Sequence, residues 1–241
     1  MKLKNRLLDY KEIIYQDDEW FKFSLDSVLL ANFVTLNLRT KKIIDLATGN
    51  APIPIFLSFR TKASIYGVEY QDCVYELGKE SIIENGLDKQ IHLICEDVRK
   101  LRHSFESDSF DVVTCNPPYF KINDESYLNE NEIKARARHE LTLNLDDVLK
   151  MSSYLLKNGG VFAMVHRTER FIEIIEKMRQ YRIEPKRIQF IYPKVGKDSD
   201  LFLIEGIKNG NVGLKMLSPC VIHEMDDSYT KEVQDILKFD F

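Results

Sequence analysis

The sequence predicts one α/β domain built on a doubly wound, mostly parallel sheet with helices on both faces. Two observations support this prediction. Short apolar runs rich in β-branched residues alternate along the chain with longer segments of helical periodicity. The chain has 241 residues, of which 44% are hydrophobic, so it suits one domain with a packed core.

Seven short apolar runs bounded by turn residues are predicted to be strands. They cover residues 42–46, 64–69, 91–95, 110–115, 161–165, 187–192 and 201–207. Helices are predicted at 52–59, 71–85, 145–156 and 171–181, and an apolar helix at 25–36 precedes the first strand. The glycines at 159 and 160 are expected to separate a helix from the fifth strand, and the last two strands are expected to form a hairpin-like pair.

Acidic residues stand at the ends of the first three predicted strands. Asp45 lies near the end of the first strand, Glu69 ends the second, and Asp97 follows the third. Because open α/β sheets bind ligands at the carboxyl ends of their strands, we expect these side chains around one pocket. Glu69 is placed to accept hydrogen bonds from both hydroxyls of a ribose, and Asp97 from an adenine amino group.

The turn after the first strand contains Thr48, Gly49 and Asn50. A tight turn with glycine between a strand and a helix lets backbone groups approach a bound ligand closely. These three residues are therefore added to the predicted ligand pocket.

The tetrapeptide Asn116-Pro117-Pro118-Tyr119 is the most informative motif of the chain. Two prolines cannot continue a strand, so the chain leaves the sheet at Asn116, at the carboxyl end of the fourth strand. The Asn116 amide oxygen and a fixed backbone carbonyl at the bend can together accept the two hydrogens of one amino group. The ring of Tyr119 supplies a flat stacking surface. The motif is suited to holding a planar amine and orienting its lone pair.

A charged segment without clear periodicity follows this motif, at residues 120–140. Long loops inside compact domains are often binding elements, and this one is expected to lie over the pocket. Phe120, Arg138 and His139 therefore join Tyr119 as predicted substrate-binding residues.

Together these motifs resemble those of class I methyltransferases that use S-adenosylmethionine, and Asn116–Tyr119 is similar to the signature of their amino-methylating subset. More narrowly, residues 15–210 resemble the small bacterial enzymes that methylate N6 of adenine 37 in tRNA-Val. The supporting segments are residues 21–31, Ala137-Arg138-His139-Glu140 and the glycines before the fifth strand.

This resemblance implies a Rossmann-like fold, S-adenosylmethionine as cofactor, and the anticodon loop of a tRNA as substrate. It implies an N-terminal helical extension at residues 1–40 that covers the sheet, and a catalytic domain at residues 41–241. The implied catalytic residues are Asn116, Pro117, Pro118 and Tyr119. The implied cofactor residues are Asp45, Thr48, Gly49, Asn50, Glu69, Asp97 and Asn116.

Two positions depart from that family, which usually has Asp-Leu-Gly-Thr-Gly-Asn-Gly in its first turn. Ala47 and Ala51 replace two of the glycines here, and Pro52 follows. Because glycine permits positive φ and close ligand approach, alanine is expected to crowd the methionine portion of the cofactor. Gly49 remains, so cofactor binding is still expected.

Other functions stay open at this point. Enzymes that methylate guanine N2 of ribosomal RNA, or a protein glutamine, carry the same signature. The glutamine enzymes usually have a helical N-terminal domain, whereas only residues 1–41 precede the first strand here. DNA adenine methyltransferases usually add a target-recognition domain, and none is visible in this sequence. A non-catalytic RNA-binding homologue would explain the two alanines, but not the intact Asn116–Tyr119 motif.

The net charge of −4 does not indicate a nucleic-acid partner, but two stretches are locally basic. Residues 177–197 hold seven basic side chains against Glu184 alone, and residues 1–11 hold four against Asp9. Both are candidates for contact with RNA phosphates. Four scattered cysteines, the lack of a secretory signal and the lack of a long apolar run predict a reduced, cytoplasmic protein with no metal and no membrane span.

Overall fold

The computed structural model describes residues 2–6, 13–17, 25–117 and 143–238. A small antiparallel sheet comes first, formed by β1 (Lys2–Arg6) and β2 (Ile13–Asp17). The central sheet contains β3 (Lys42–Leu46), β4 (Ser64–Glu69), β5 (Ile91–Cys95), β6 (Phe110–Cys115), β7 (Leu156–Arg167), β8 (Ile183–Tyr192), β9 (Leu201–Lys208), β10 (Lys215–Met216) and β11 (Cys220–Val221). The helices of the described residues are α1 (Leu25–Phe33), α2 (Pro52–Arg60), α3 (Asp72–Glu84), α4 (Leu145–Leu155), α5 (Phe171–Gln180) and α6 (Lys231–Lys238), with 3₁₀ turns at Val98–His103 and Thr168–Arg170.

The main strands follow the order β8-β9-β7-β6-β3-β4-β5. Strands β3 to β7 are parallel, and β9 lies antiparallel between β7 and β8. The predicted mostly parallel sheet and the predicted late pair are confirmed. All seven predicted strands are present, but the count of seven was wrong: within the described residues the sheet has nine strands, because β10 and β11 add two residues each to the edge of β8. Two-residue strands carry no detectable period in a sequence.

The direction of the chain reverses at β3. From β3 it passes to β4 and β5 on one side, and then returns to β6 and β7 on the other. The carboxyl ends of β3 and β6 therefore flank the point where open α/β sheets form a ligand crevice. Asp45 of β3 pairs in register with Thr114 of β6 at that point.

Two apolar cores cover the two faces of the sheet. Ile43 of β3 packs with α1, α2 and α6 on one face, and Ile44 packs with α4, α5 and the turn at Val98–His103 on the other. Successive strand residues point to opposite faces, so a strand buried on both sides needs a continuous apolar run. That is the pattern from which β3 was predicted.

The N-terminal region contains the hairpin β1–β2 in addition to the predicted helix. The backbone of Ile13 exchanges two hydrogen bonds with the Asn85 side chain, at 2.9 and 2.8 Å, and the Tyr15 N–H donates to Ser81 Oγ at 2.9 Å. Side chains of α3 and its C-terminal cap thus satisfy one edge of β2. The division of the chain at residue 40 stays a prediction.

The start of β7 differs from the prediction. The strand begins at Leu156, directly after α4, and runs through both glycines that were expected to precede it. Gly159 has a φ of +78°, and the pairing with β6 shifts register between Phe110 and Val112. The glycines therefore permit an irregularity inside the strand, which extends to Arg167.

Candidate active site

The turn after β3 has an unusual backbone. Ala47, Gly49 and Ala51 have φ values of 54°, 60° and 67°, all in the left-handed region. Glycine adopts this region readily, whereas an L-residue with a Cβ pays roughly 1–2 kcal/mol. The two alanines thus stand where the backbone itself favours glycine. The expected crowding of the methionine portion of a cofactor stays a prediction.

Asp45 lies at the end of β3 and is fully buried. Its Oδ1 accepts a hydrogen bond from Thr114 Oγ1 at 2.6 Å, while Oδ2 has no hydrogen-bond partner within the described residues. The Thr48 hydroxyl lies near this carboxylate but forms no hydrogen bond with it. Burial raises the pKa of Asp45 to about 7, against the opposing effect of the Thr114 hydroxyl. A cation beside Oδ2 would favour the charged form.

Glu69 joins the end of β4 to the same turn. Its Oε2 accepts from the Gly49 N–H at 2.9 Å, and its Oε1 accepts from the Gln71 N–H at 2.8 Å. The side chain is buried and held at both oxygens. Because a carboxylate oxygen has two lone pairs, each can still accept one more hydrogen bond. This geometry suits two neighbouring hydroxyls.

Asp97 follows β5 and is engaged by Arg99, a residue that sequence reasoning missed. The Arg99 N–H donates to Oδ1 at 2.9 Å, and its guanidinium Nη2 lies 2.6 Å from Oδ2. The hydrogen bond from Arg99 lowers the pKa of Asp97. The predicted contact with an adenine amino group would therefore share the carboxylate with a guanidinium, and it stays a prediction.

Asn116 leaves β6 at the same edge of the sheet. Its Nδ2 donates a hydrogen bond to Ser27 Oγ of α1 at 3.2 Å, and Ser27 is buried. The nitrogen end of the amide is therefore turned toward α1, and Oδ1 lies at the other end. Asn116 is half-buried and Pro117 is buried. Pro118, Tyr119, Phe120, Arg138 and His139 lie outside the described residues.

The methyltransferase domain family matches residues 38–210, which is well over half of the chain and includes every strand end described above. The chain belongs to that family.

Relatives of known name cover nearly the whole chain. A tRNA1(Val) (adenine(37)-N6)-methyltransferase of Bacteroides fragilis is 26% identical over 90% of this chain and 91% of its own length. One of the same name from Cytophaga hutchinsonii is 21% identical over 98% of each chain. A crystal structure of a predicted O-methyltransferase from Agrobacterium tumefaciens has a TM-score of 0.71 at 23% identity and covers 89% of this chain and 96% of that one.

A geranyl diphosphate C-methyltransferase from Streptomyces coelicolor, solved with S-adenosyl-L-homocysteine, has a TM-score of 0.57 at 13% identity over 76% of this chain and 79% of that one. At these identities the solved structures show the fold. The family and the fold make this protein a methyltransferase.

Two residues of this methyltransferase fold lie at the edge of the site and were missed by sequence reasoning. Ser27 belongs to a segment that carried the resemblance, but a serine in the first turn of a helix gives no sign of its partner. His166 lies near the end of β7, where its Nδ1 accepts from the Arg167 N–H at 2.8 Å. Burial lowers the pKa of His166 to about 4, so the ring is neutral near pH 7.

Most of the basic stretch at 177–197 is occupied by contacts within the protein. Lys177 pairs with Asp146 at 2.6 Å, Arg179 with Glu184 at 3.2 Å, Arg187 with Glu205 at 3.4 Å, and Lys194 with Asp227 at 2.7 Å, while Lys186 donates to the Asn211 carbonyl. Arg187 also lies 4.7 Å from the ring of Phe33. For Arg182 and Lys197 no acidic partner occurs within the described part of the chain. The stretch is therefore a weaker candidate for phosphate contact than its composition indicated.

Two further observations concern the described residues only. They contain no group of three or more metal-ligating side chains placed to hold an ion. None of their helices combines the length and the apolar character that crossing a membrane requires.

Proposed function

We propose that this protein transfers a methyl group from S-adenosylmethionine to the exocyclic N6 amine of an adenine in tRNA, at position 37 of tRNA-Val. The observation that carries the proposal is the end of β6. There the Asn116 amide is held by Ser27, at the same edge of the sheet as Asp45 and Glu69. The names of the relatives that match over 90% or more of this chain support the choice of substrate.

The residues around the turn fit this cofactor. Asp45 Oδ2 and Thr48 Oγ1 are buried acceptors without a partner within the described residues, so a ligand with positive charge and hydrogen-bond donors complements them. Glu69 would receive the ribose hydroxyls, and the Asp97 carboxylate would receive the adenine amino group. Gly49 and Asn50 would complete the wall of the pocket. When bound, the cofactor supplies the electrophilic methyl group.

Asn116 would hold the substrate amine. An aromatic amine is a poor nucleophile because its lone pair delocalises into the ring. Asn116 Oδ1 and the Pro117 carbonyl would accept the two N–H groups, which directs the lone pair out of the ring plane and stabilises the positive charge that develops on nitrogen. Once methylated, the amine would carry one hydrogen too many for its neutral form, and Asn116 Oδ1 and the Pro117 carbonyl would hold both hydrogens until one is lost to solvent.

The remaining predicted residues would hold the base and the RNA. Tyr119 and Phe120 are proposed to stack on the adenine, a contact worth roughly 1–3 kcal/mol per base in nucleic-acid complexes. Arg138 and His139 are proposed to contact the RNA. A base in an anticodon loop is accessible at lower cost than one inside a helix, because it need not be flipped out of a duplex.

The test is to incubate the purified protein with labelled S-adenosylmethionine and unmodified tRNA, ribosomal RNA and protein substrates in parallel. We expect label in N6-methyladenosine from tRNA-Val, and a labelling rate lowered roughly 10²–10³-fold after the change Asn116→Ala. Label in a guanine of ribosomal RNA or in a protein glutamine would replace the proposed substrate. RNA binding without any methyl transfer would favour the non-catalytic homologue.

A further inference from the structure

Within the described residues, four buried side-chain atoms have no hydrogen-bond partner. They are Gln16 Oε1, Asp45 Oδ2, Thr48 Oγ1 and Ser152 Oγ. Buried polar groups in folded proteins are nearly always satisfied, so each exception needs an explanation. Asp45 and Thr48 lie in the turn after β3 and are explained by the proposed cofactor. Gln16 lies on β2, outside the central sheet, and has no role in the site described so far.

Hydrogen bonds bring β2 to the same turn. The Tyr15 carbonyl accepts from Asn50 Nδ2 at 2.8 Å, and the Tyr15 N–H donates to Ser81 of α3. The Ile13 backbone is bonded to Asn85, one helical turn beyond Ser81 at the C-terminal end of α3. Strand β2 therefore runs along α3 toward the turn and reaches it at Tyr15. Gln16 is the next residue of the chain, so its Cα lies within roughly 4 Å of that of Tyr15.

The side chain of Gln16 points into the protein. It is 3% exposed, and Ile14, two residues earlier on the same face of the strand, is fully buried in the apolar core. Gln16 is therefore a polar side chain on the buried, apolar face of β2, at the place where β2 meets the turn. The oxygen loses its hydration there without gaining a partner, which destabilises the unliganded protein.

We infer that Gln16 is a further cofactor-binding residue, whose Oε1 accepts a hydrogen bond from the ammonium group at the amino-acid end of S-adenosylmethionine. This inference rests on the proposed function. Gln16 Oε1 is an acceptor, and so is Asp45 Oδ2 when its carboxyl is charged, whereas an ammonium group offers three donors and a positive charge. Glu69 lies at the end of β4 and Asp97 just after β5, and both are proposed to bind the adenosine end. The acceptors beside β3 are left for the amino-acid end.

The test compares Gln16→Met with a matched control, Gln90→Met. Methionine keeps the length of the side chain and removes the oxygen. Gln90 lies at the opposite edge of the sheet, where its Nε2 donates to the carbonyls of Thr61 and Ala63. Calorimetry measures binding of three probes: S-adenosylmethionine, S-adenosylhomocysteine, and 5′-methylthioadenosine, which lacks the amino-acid end.

We expect Gln16→Met to weaken binding of the first two probes by roughly 10- to 100-fold and to leave 5′-methylthioadenosine unchanged, because a hydrogen bond to a charged group is lost. The unliganded variant should unfold at a temperature roughly 2–4 °C higher than wild type, because an unpaired buried oxygen is removed. Gln90→Met should instead lower the unfolding temperature, because two hydrogen bonds are lost, and it should leave all three affinities unchanged.

The outcomes separate the inference from the proposed function. Equal loss for all three probes, or no loss for S-adenosylmethionine, would overturn the role of Gln16 while leaving the proposed function intact. Failure of the wild-type protein to bind S-adenosylmethionine would overturn the proposed function itself. If Gln16→Met does not fold, Gln16→Asn asks the same question by shortening the reach of the amide. We expect it to lose affinity for S-adenosylmethionine and S-adenosylhomocysteine alone, and unchanged affinity would again overturn the role.

Discussion

The carboxyl ends of β3 and β4 differ from that of β6 in how their polar groups are held. At β3 and β4 two carboxylates are buried around a turn. One has an oxygen without a hydrogen-bond partner among the described residues, and the other is fixed by two backbone N–H groups. At β6 a neutral, half-buried amide is oriented by a side chain from α1. The first arrangement suits a charged ligand with several hydroxyls and amines, and the second suits a single amine.

Under the proposed function, this difference separates the residues that bind the cofactor from the residue that serves the chemical step. Interactions that are equally strong in the ground state and in the transition state change affinity, whereas those that strengthen as charge develops change the rate. Substitutions at the ends of β3 and β4 should therefore act on cofactor affinity and stability. Substitutions at the end of β6, and at Ser27 behind it, should act on the chemical step.

The largest effect is expected from the buried charge of Asp45. Its pKa in the folded state is about 7, above the usual 3.8, so the folded protein binds a proton that the unfolded chain has lost between those values. Stability then falls as pH rises through this window, by about 1.4 kcal/mol per unit. The stability of wild type relative to Asp45→Asn should fall by roughly 4 kcal/mol between pH 4 and pH 8. Urea unfolding without ligand at several pH values checks this, and parallel profiles for the two proteins would contradict it.

Glu69→Ala should weaken binding of S-adenosylmethionine because the ribose hydroxyls lose a charged acceptor. The expected loss is roughly 1.5–3 kcal/mol by calorimetry. The variant should keep its chemical rate once saturated with cofactor, which places Glu69 on the binding side of the comparison. Glu184→Ala serves as the control, since Glu184 lies at the start of β8 and pairs with Arg179 there. Affinity equal to that of wild type would remove Glu69 from the site.

Ser27→Ala should lower the rate at saturating cofactor by roughly 2- to 10-fold, the value of one hydrogen bond. The reason is that the Asn116 amide loses its hydrogen bond to Ser27 Oγ, so it is held less firmly toward the substrate. Affinity for S-adenosylmethionine should not change, and Ser27→Thr should restore the rate. Single-turnover kinetics separate the two quantities. A fall in affinity with an unchanged rate would mean that Ser27 serves the cofactor pocket.

The smallest effect concerns the backbone of the turn. Ala47→Gly and Ala51→Gly should each stabilise the protein by up to about 1 kcal/mol. Glycine removes the cost of positive φ in the folded state, and the greater freedom of the unfolded glycine chain offsets part of that gain. Ala31→Gly, inside α1, is the matched control and should destabilise by about 1 kcal/mol. Thermal unfolding distinguishes the two signs. Destabilisation by all three changes would show that the left-handed turn carries no strain.

The sequence was sufficient where local pattern and topology decide the structure. The apolar runs gave β3 to β6, and their parallel order placed Asp45 and Glu69 at one edge before any contact was known. It was insufficient where a contact depends on residues far apart in the chain. Ser27 and Asn116 are 89 positions apart, and Tyr15 and Asn50 are 35 apart. The periodicity of the sequence does not predict contacts between residues so far apart.

The basic stretch at 177–197 shows the same limit for charge. Its composition indicated a surface for phosphates, yet Lys177 and Arg187 find their acidic partners on α4 and β9. Only the folded arrangement brings those carboxylates within reach. The number of basic residues in a segment therefore does not predict how many of them are available to bind RNA phosphates.

The central claim is that Asn116 serves the chemical step while the ends of β3 and β4 hold the cofactor. The most direct test is Asn116→Ala, with the methyl-transfer rate and the cofactor affinity measured on the same preparation. We predict a rate lowered by roughly 10²–10³, the usual cost of losing a preorganised hydrogen-bonding group, with affinity for S-adenosylmethionine and the unfolding temperature nearly unchanged. Full turnover, or a loss of affinity as large as the loss of rate, would contradict the account.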